Sequence, residues 1–165
     1  MLTAKKLSSD HQLKDPLFVI VVSIVICSIL VVYPLSYAVA GWRPLFMLML
    51  TLFWVLCQPT WCGVWFAFAM GLFTDLLFDA PLGLNALSYV IITFMTRYFI
   101  RERRVLTFSN IWIIASFAIL AYLLFMFMAQ VMLGVHFSIA RHWQSLLTSI
   151  LFWPILYYLL KKWRI

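Results

Sequence analysis

The chain has 165 residues, of which 66% are hydrophobic and 10% are charged, and its formal net charge is +7. Soluble domains are about half apolar and about a quarter charged, and a protein of this size exposes too much surface to hide so many apolar residues from water. The composition therefore excludes a soluble enzyme, a disulfide-rich secreted domain and a disordered segment. It predicts a protein whose solvent is mainly lipid.

The N-terminal third of the chain predicts a tail followed by two membrane spans. Residues 1–15 are polar and predict a cytoplasmic tail. The first transmembrane helix is predicted at about 17–37, directly after Pro16, a residue favoured in the first turn of a helix. The second is predicted at about 43–58. It is short for a full crossing, so we expect a thinned bilayer or help from flanking residues at this helix.

Four more apolar runs follow, separated by polar or turn-forming segments. The corresponding spans are predicted at about 61–78, 84–100, 109–133 and 145–161, and residues 134–144 are predicted to form a loop. Residues 16–165 are thus expected to be one transmembrane domain. No run alternates with a two-residue period long enough for a barrel, and lipid permits only helices and closed barrels. The predicted fold class is all-α, a polytopic membrane bundle of about six transmembrane helices.

The basic residues predict the orientation of this bundle. With six spans and the N-terminus inside, ten of the twelve Lys and Arg residues fall on the inner side, as the positive-inside bias requires. These ten are Lys5, Lys6, Lys14, Arg97, Arg101, Arg103, Arg104, Lys161, Lys162 and Arg164. Both termini are therefore predicted to be cytoplasmic. We expect the basic clusters to contact anionic membrane lipids, and we expect no nucleic-acid partner.

The third span carries a run of small and acidic residues at intervals of four. Gly63, Ala67 and Gly71 form a small-residue stripe that permits another helix to approach closely, and Asp75 and Asp79 continue it. The stripe suits packing against a neighbouring span or against a helix of a partner protein, and the spacing leaves both interpretations open. It does predict that Asp75 points at protein and away from lipid.

A carboxylate at bilayer depth costs on the order of 3 kcal/mol, so Asp75 needs a compensating partner. Arg43, at the same predicted outer end, is the candidate for an ion pair with Asp75 or Asp79. The alternative structural arrangement is that the carboxylate caps backbone groups of the turn at Pro81-Leu82-Gly83. A functional interpretation also stays open, in which these groups form a site for a ligand, a proton or a partner chain.

Signals for catalysis are weak. No His lies near the paired carboxylates in sequence, and neither a phosphate-binding Gly-rich loop nor a nucleophile motif is present. We therefore predict no catalytic residues, no metal site and no cofactor. An intramembrane enzyme acting on lipid would need a compact catalytic set, and the sequence offers none.

Three segments resemble a known family. These are Trp42-Arg43-Pro44, Met70-Gly71-Leu72-Phe73-Thr74-Asp75-Leu76, and Pro81-Leu82-Gly83-Leu84-Asn85-Ala86-Leu87, with Trp153-Pro154 in the last span. They are similar to segments of the rod shape-determining protein family MreD. The residues that match the family pattern are Arg43, Gly71, Asp75, Gly83 and Asn85.

The resemblance implies a non-enzymatic scaffold of the bacterial inner membrane that supports lateral peptidoglycan synthesis and rod shape. The partners it implies are a bitopic MreC-like protein, the RodA glycosyltransferase with its transpeptidase, and indirectly the MreB filament. It also implies a fold similar to the membrane substrate-binding subunits of energy-coupling-factor transporters. That similarity supplies the alternative function, a small-molecule (vitamin-like) uptake subunit, in which Arg43, Asp75, Asp79 and Asn85 would contact the ligand.

Overall fold

The computed structural model describes residues 16–33, 41–59, 61–102, 108–132 and 139–164. These residues form helices and connecting turns, without a strand among them. The helices are α1 (Pro16–Val32), α2 (Phe46–Cys57), α3 (Val64–Leu77), α4 (Leu84–Glu102), α5 (Phe108–Met132) and α6 (Ile139–Arg164). The prediction of an all-helical chain is confirmed for the described residues.

Helix α2 is the centre of the bundle. It contacts each of the other five helices. Every residue from Met47 to Val55 is at most 2% exposed, and Leu56, which follows them, is 6% exposed. A helix of 12 residues is about 18 Å long, which is short for the hydrocarbon core. Because α2 is buried among the other helices, few of its side chains are available to lipid. The thinned bilayer or the help from flanking residues expected at this helix stays a prediction.

The outer helices present large apolar side chains outward. Phe18, Phe117, Leu151 and Met132 are among those exposed by more than 60%. Two stretches are long and apolar enough to cross a membrane, Ser109–Met132 and Trp143–Lys162, and the other four helices contain shorter apolar stretches. Exposed apolar surface of this kind is normally removed from water by lipid or by another protein.

The boundaries of the helices differ from the predicted spans mainly near two connections. Helix α6 begins at Ile139, so residues 139–144, predicted to be part of a loop, are helical. Helix α1 ends at Val32, whereas the first span was predicted to continue to residue 37, and residues 34–40 lie outside the described part of the chain. The tail predicted at 1–15 also lies outside it.

A proline inside α6 is compensated by a tryptophan of α5. Pro154 has no N–H, so the carbonyl of Ile150, four residues earlier, lacks its helical donor. The indole Nε1–H of Trp112 donates to that carbonyl oxygen at 3.3 Å. The two helices are thereby connected at the position where the backbone of α6 would otherwise leave an acceptor unpaired.

Candidate functional site

The carboxylate of Asp75 caps the N-terminus of α4 from the neighbouring helix α3. Its Oδ2 accepts the N–H of Gly83 at 2.8 Å and its Oδ1 accepts the N–H of Asn85 at 3.0 Å, while the N–H of Ala86 lies 3.5 Å from Oδ2. The first backbone N–H groups of a helix have no intrahelical acceptor, and the helix dipole favours negative charge there. Asp75 is fully buried, so the α4 terminus is its compensating partner.

The prediction that Arg43 forms an ion pair with Asp75 or Asp79 is wrong. The Arg43 guanidinium donates instead to the carbonyls of Val31 and Tyr33, at 2.5 and 2.7 Å. These carbonyls lie at the C-terminal end of α1, where acceptors are unpaired and a cation is favoured. Each charged group therefore serves a different helix end, which explains why the two do not meet.

The small-residue stripe is used within the fold. A Cβ atom added to Gly71 would lie 2.3 Å from Cα of Ala86 and 2.8 Å from the carbonyl oxygen of Asn85, so α3 and the first turn of α4 touch backbone to backbone. Ala67 is fully buried. A Cβ on Gly63 would meet only the flexible Arg97 side chain, at 3.2 Å. Of the two interpretations of the stripe, the contact at Gly71 supports packing against a neighbouring helix of the same chain.

Asp79 lies apart from Asp75 and ends α3. Its φ of +48° places it in the left-handed region, and the N–H of Ala80 donates to the carbonyl of Asp75 at 3.0 Å. This is the arrangement of a Schellman motif, in which the left-handed position is usually glycine. The Asp79 side chain is exposed. The two carboxylates predicted to act together therefore have different positions and different partners.

Gly83 supplies the conformation that brings the turn to the Asp75 carboxylate. Its φ is +99°, and the N–H of Leu84 donates to the carbonyl of Pro81 at 3.2 Å. A residue with positive φ at the third position of such a turn is nearly always glycine, because a side chain is strained there. The turn then presents the Gly83 N–H to Asp75.

A tyrosine of α5 joins this cluster through Asn85. The Tyr122 hydroxyl donates to Asn85 Oδ1 at 2.7 Å, its ring packs edge-on against Tyr89 at 5.9 Å between centroids, and the Tyr89 and Thr74 hydroxyl oxygens lie 3.4 Å apart. Sequence reasoning missed Thr74, Tyr89 and Tyr122 as members of this cluster. Their signal is a tyrosine or threonine within an apolar run, since a buried hydroxyl needs a partner, but the sequence does not identify that partner.

The cluster around Asp75 holds helices together and leaves few groups for chemistry. Both carboxylate oxygens accept backbone N–H groups, and the Thr74 hydroxyl donates to the carbonyl of Met70 at 2.8 Å. Within the described ranges, no group of three His, Cys, Asp or Glu residues is placed to hold a metal ion. The arrangement is that of a structural connection between α3, α4 and α5.

Comparison with known protein families identifies the family of the chain. The family model described as rod shape-determining protein MreD matches residues 14–163, nearly the whole sequence. The chain belongs to the MreD family. MreD proteins are membrane proteins that determine rod shape, and family membership supports a role in rod shape determination for this chain.

A curated relative also matches most of the chain. The chain is similar to the rod shape-determining protein MreD of Haemophilus influenzae, with 28% identity over an alignment of 155 residues. The alignment covers 89% of this chain and 91% of that protein. No solved structure matches the chain. The resemblance to the MreD family stated from the sequence motifs is thus confirmed.

Proposed function

We propose that the chain is a non-enzymatic scaffold of the elongation machinery in the bacterial inner membrane. In this proposal it crosses the membrane about six times with both termini in the cytoplasm, and it supports lateral peptidoglycan synthesis by associating with an MreC-like bitopic protein. The observation that carries the proposal is the MreD family match over residues 14–163. RodA and its transpeptidase are the proposed wider partners, with the MreB filament connected indirectly.

The use of polar atoms inside the bundle supports a scaffold. Asp75, Asn85 and Tyr122 bind backbone or one another, so they fix helix ends and helix pairs. The exposed surface is instead rich in large apolar side chains. A protein that works by docking needs complementary apolar faces and can have few polar groups, which matches this distribution.

The groove between α4 and α5 is the surface that we propose for the partner helix. It encloses about 520 Å³ and its walls are almost entirely apolar, with Ala118 and Ala121 among the small residues and Met95, Phe117 and Met128 among the large ones. Small residues let a second helix approach closely, and methionine side chains adapt to its surface. The Met- and Phe-rich stretch of α5 contributes Phe125 and Met128 to this groove.

Filling the groove tests this placement. Ala121 is exposed on the groove wall, so Ala121→Trp is expected to block the partner without disturbing the core. The matched control is Leu151→Trp on α6, at a side chain that is 70% exposed. After purification in mild detergent, the Ala121 variant should lose co-purification with the bitopic protein, and cells relying on it should become round. Normal partner recovery and rod shape with a folded Ala121→Trp protein would contradict the proposed groove.

The proposal as a whole has a broader test. Complete depletion of the protein is expected to convert rods to round cells, and reporter tags at the two ends should both report the cytoplasm. Rods that persist after depletion would contradict the function. Tags reporting opposite sides of the membrane would contradict the proposed topology and leave the groove test unaffected.

The alternative of a vitamin-like uptake subunit is less well supported. Pockets for small molecules commonly measure about 300–1,000 Å³ and contain a few convergent polar groups. The pocket between α4 and α5 is mostly apolar, with Ser88, Thr96 and Asn110 as its polar lining residues, and the pocket lined by Arg43 measures about 190 Å³. A third pocket, of about 460 Å³, has Arg97 as its one charged lining residue among the described residues. Similarity of the fold to energy-coupling-factor subunits stays a prediction.

A further inference from the structure

An open pocket of about 460 Å³ lies at the ends of α3 and α4 that are remote from the Asp75 cap. It is formed by the segment between α2 and α3, the first residue of α3 and the C-terminal part of α4. The described residues that line it are Pro59, Val64, Phe94, Arg97, Tyr98 and Ile100. The pocket therefore combines one cationic side chain with mostly apolar walls, and its volume is within the range of small-molecule sites.

The guanidinium of Arg97 is held at the edge of this pocket and is accessible from it. Its Nη2 donates to the carbonyl of Pro59 at 3.2 Å, in a hydrogen bond that lies at the exposed surface. Its Nη1 lies against Gly63, since a Cβ atom added to that glycine would be 3.2 Å from this nitrogen. A guanidinium has five N–H groups and can bind a carbonyl and an anion at the same time.

The chemistry of the walls favours a ligand that is anionic at one end and apolar at the other. A guanidinium forms its strongest hydrogen bonds with phosphates and carboxylates. Val64, Phe94 and Ile100 supply apolar surface beside it, and Phe94, one turn from Arg97 along α4, is 67% exposed. A small soluble anion would leave this apolar surface uncovered, whereas a lipid covers it with an acyl chain while its headgroup binds the arginine.

Exposed aromatic side chains around the pocket indicate the level of the lipid headgroups. Trp61, just before α3, is 63% exposed, and Trp65, in the first turn of α3, is 86% exposed. Tyr98, next to Arg97, is 61% exposed. Tryptophan and tyrosine are enriched where a membrane protein meets the headgroup layer. An arginine at this level lies close to lipid phosphates.

We propose that this pocket binds one phospholipid, whose phosphate accepts hydrogen bonds from Arg97 and whose acyl chain lies against Val64 and Phe94. The proposal goes beyond a general attraction of basic clusters to anionic lipid, because it assigns one saturable site to one arginine. It rests neither on the scaffold function nor on the α4–α5 groove. Inorganic phosphate shares the chemistry of the headgroup, so the experiment must separate the two.

The test uses the purified full-length chain in detergent, with short-chain phosphatidylglycerol as the probe. Native mass spectrometry is expected to show one lipid per chain that binds saturably, and the unfolding temperature should rise as this site fills. Short-chain diacylglycerol lacks the phosphate and inorganic phosphate lacks the chains, so each should stabilise the protein much less. Equal stabilisation by diacylglycerol, or no saturable binding of phosphatidylglycerol, would overturn the proposal. Equal stabilisation by inorganic phosphate would assign the pocket to a free anion and overturn the phospholipid.

A charge variant and its control separate the site from general electrostatic attraction. Arg97→Gln removes the charged donors, so it should weaken the saturable binding by about tenfold or more. Lys162→Gln removes an exposed cation of α6 that lies outside the pocket, so it should leave the binding unchanged. Equal loss of binding in the two variants would show that net charge alone attracts the lipid, and it would overturn the site.

A second variant tests the pocket without changing its charge. Val64→Trp should fill the space beside Arg97 and abolish the saturable binding, while the arginine and the net charge stay the same. Leu76→Trp is the matched control, because it places the same bulk on α3 at a side chain that is 66% exposed and lies outside the pocket. Unchanged lipid binding by a folded Val64→Trp protein would refute the site.

Discussion

Gly71 and Ala86 are in backbone contact across the α3–α4 interface. A Cβ atom on Gly71 would lie 2.3 Å from Ala86 Cα and 2.6 Å from Ala86 N. Both of these atoms belong to the first turn of α4, whose N–H groups the Asp75 carboxylate binds one turn further along α3. The close approach and the cap therefore depend on each other, since the carboxylate reaches α4 only when the two backbones touch.

Gly71→Ala is expected to destabilise the protein strongly. The added methyl group meets backbone, which moves only if the helices separate, and overpacking of this kind costs about 1–3 kcal/mol or more. Gly63→Ala is the matched control, because its Cβ would meet only the Arg97 side chain at 3.2 Å. Chemical or thermal unfolding in detergent measures the stability of both variants. A Gly71→Ala protein as stable as Gly63→Ala would show that the interface is looser than described.

Asp75→Ala is expected to lower the amount of folded protein in the membrane. Removal of the carboxylate leaves the N–H groups of Gly83 and Asn85 without their acceptor in a buried site, at a cost of about 1–3 kcal/mol for each unsatisfied group. Asp75→Asn keeps the size and shape of the side chain but replaces one acceptor oxygen with an NH₂ group, which would face a backbone N–H donor. The amount of folded protein should therefore be lower than for the unsubstituted chain, and either higher than for Asp75→Ala or equal to it. Asp79→Ala is the control, since that side chain is exposed.

Membrane abundance and the unfolding temperature give the result for the Asp75 variants. If Asp75→Ala reached normal abundance with a normal unfolding temperature, the carboxylate would not be a structural cap. Normal abundance combined with lost rod shape would instead favour the functional interpretation of Asp75.

Asp79→Gly is expected to stabilise the protein by up to about 1 kcal/mol. The residue has φ +48°, a conformation that costs roughly 1–2 kcal/mol for most side chains, somewhat less for Asp, and little for glycine. Asp79→Val should have the opposite effect, because a branched side chain is strained most there. Equal stability of the two variants would contradict the assignment of Asp79 to the left-handed end of α3.

Trp112→Phe is expected to lower stability by about 1 kcal/mol or less through loss of the bond to the Ile150 carbonyl. The informative experiment is a double-mutant cycle with Pro154→Ala, which restores a backbone N–H that can serve that carbonyl within α6. In the Pro154→Ala background the effect of Trp112→Phe should shrink. Additive effects of the two substitutions would show that they do not share the carbonyl.

Sequence patterns predicted the helices better than they predicted the partners of the charged residues. Apolar runs separated by turn residues placed α2, α3 and α5 within a few residues of their observed ends, because helix formation in lipid depends on local composition and length. The ion pair between Arg43 and Asp75 failed as a prediction. Opposite charges at one end of a bundle attract, but unpaired backbone groups at helix ends compete for them and lie closer in space.

The sequence by itself determined that the chain is a membrane protein, that its fold class is all-α and that it belongs to the MreD family. Composition, hydrophobic length and a few motif residues are sufficient for these, since they depend on the chain and its medium. The tertiary structure decided that α2 is central, that Gly71 touches Ala86, and that Asp75 and Arg43 each complete a different helix terminus. The physical reason is that a polar side chain in a low-dielectric interior binds whichever unpaired group the packing of helices brings within reach, and packing is a property of the whole chain.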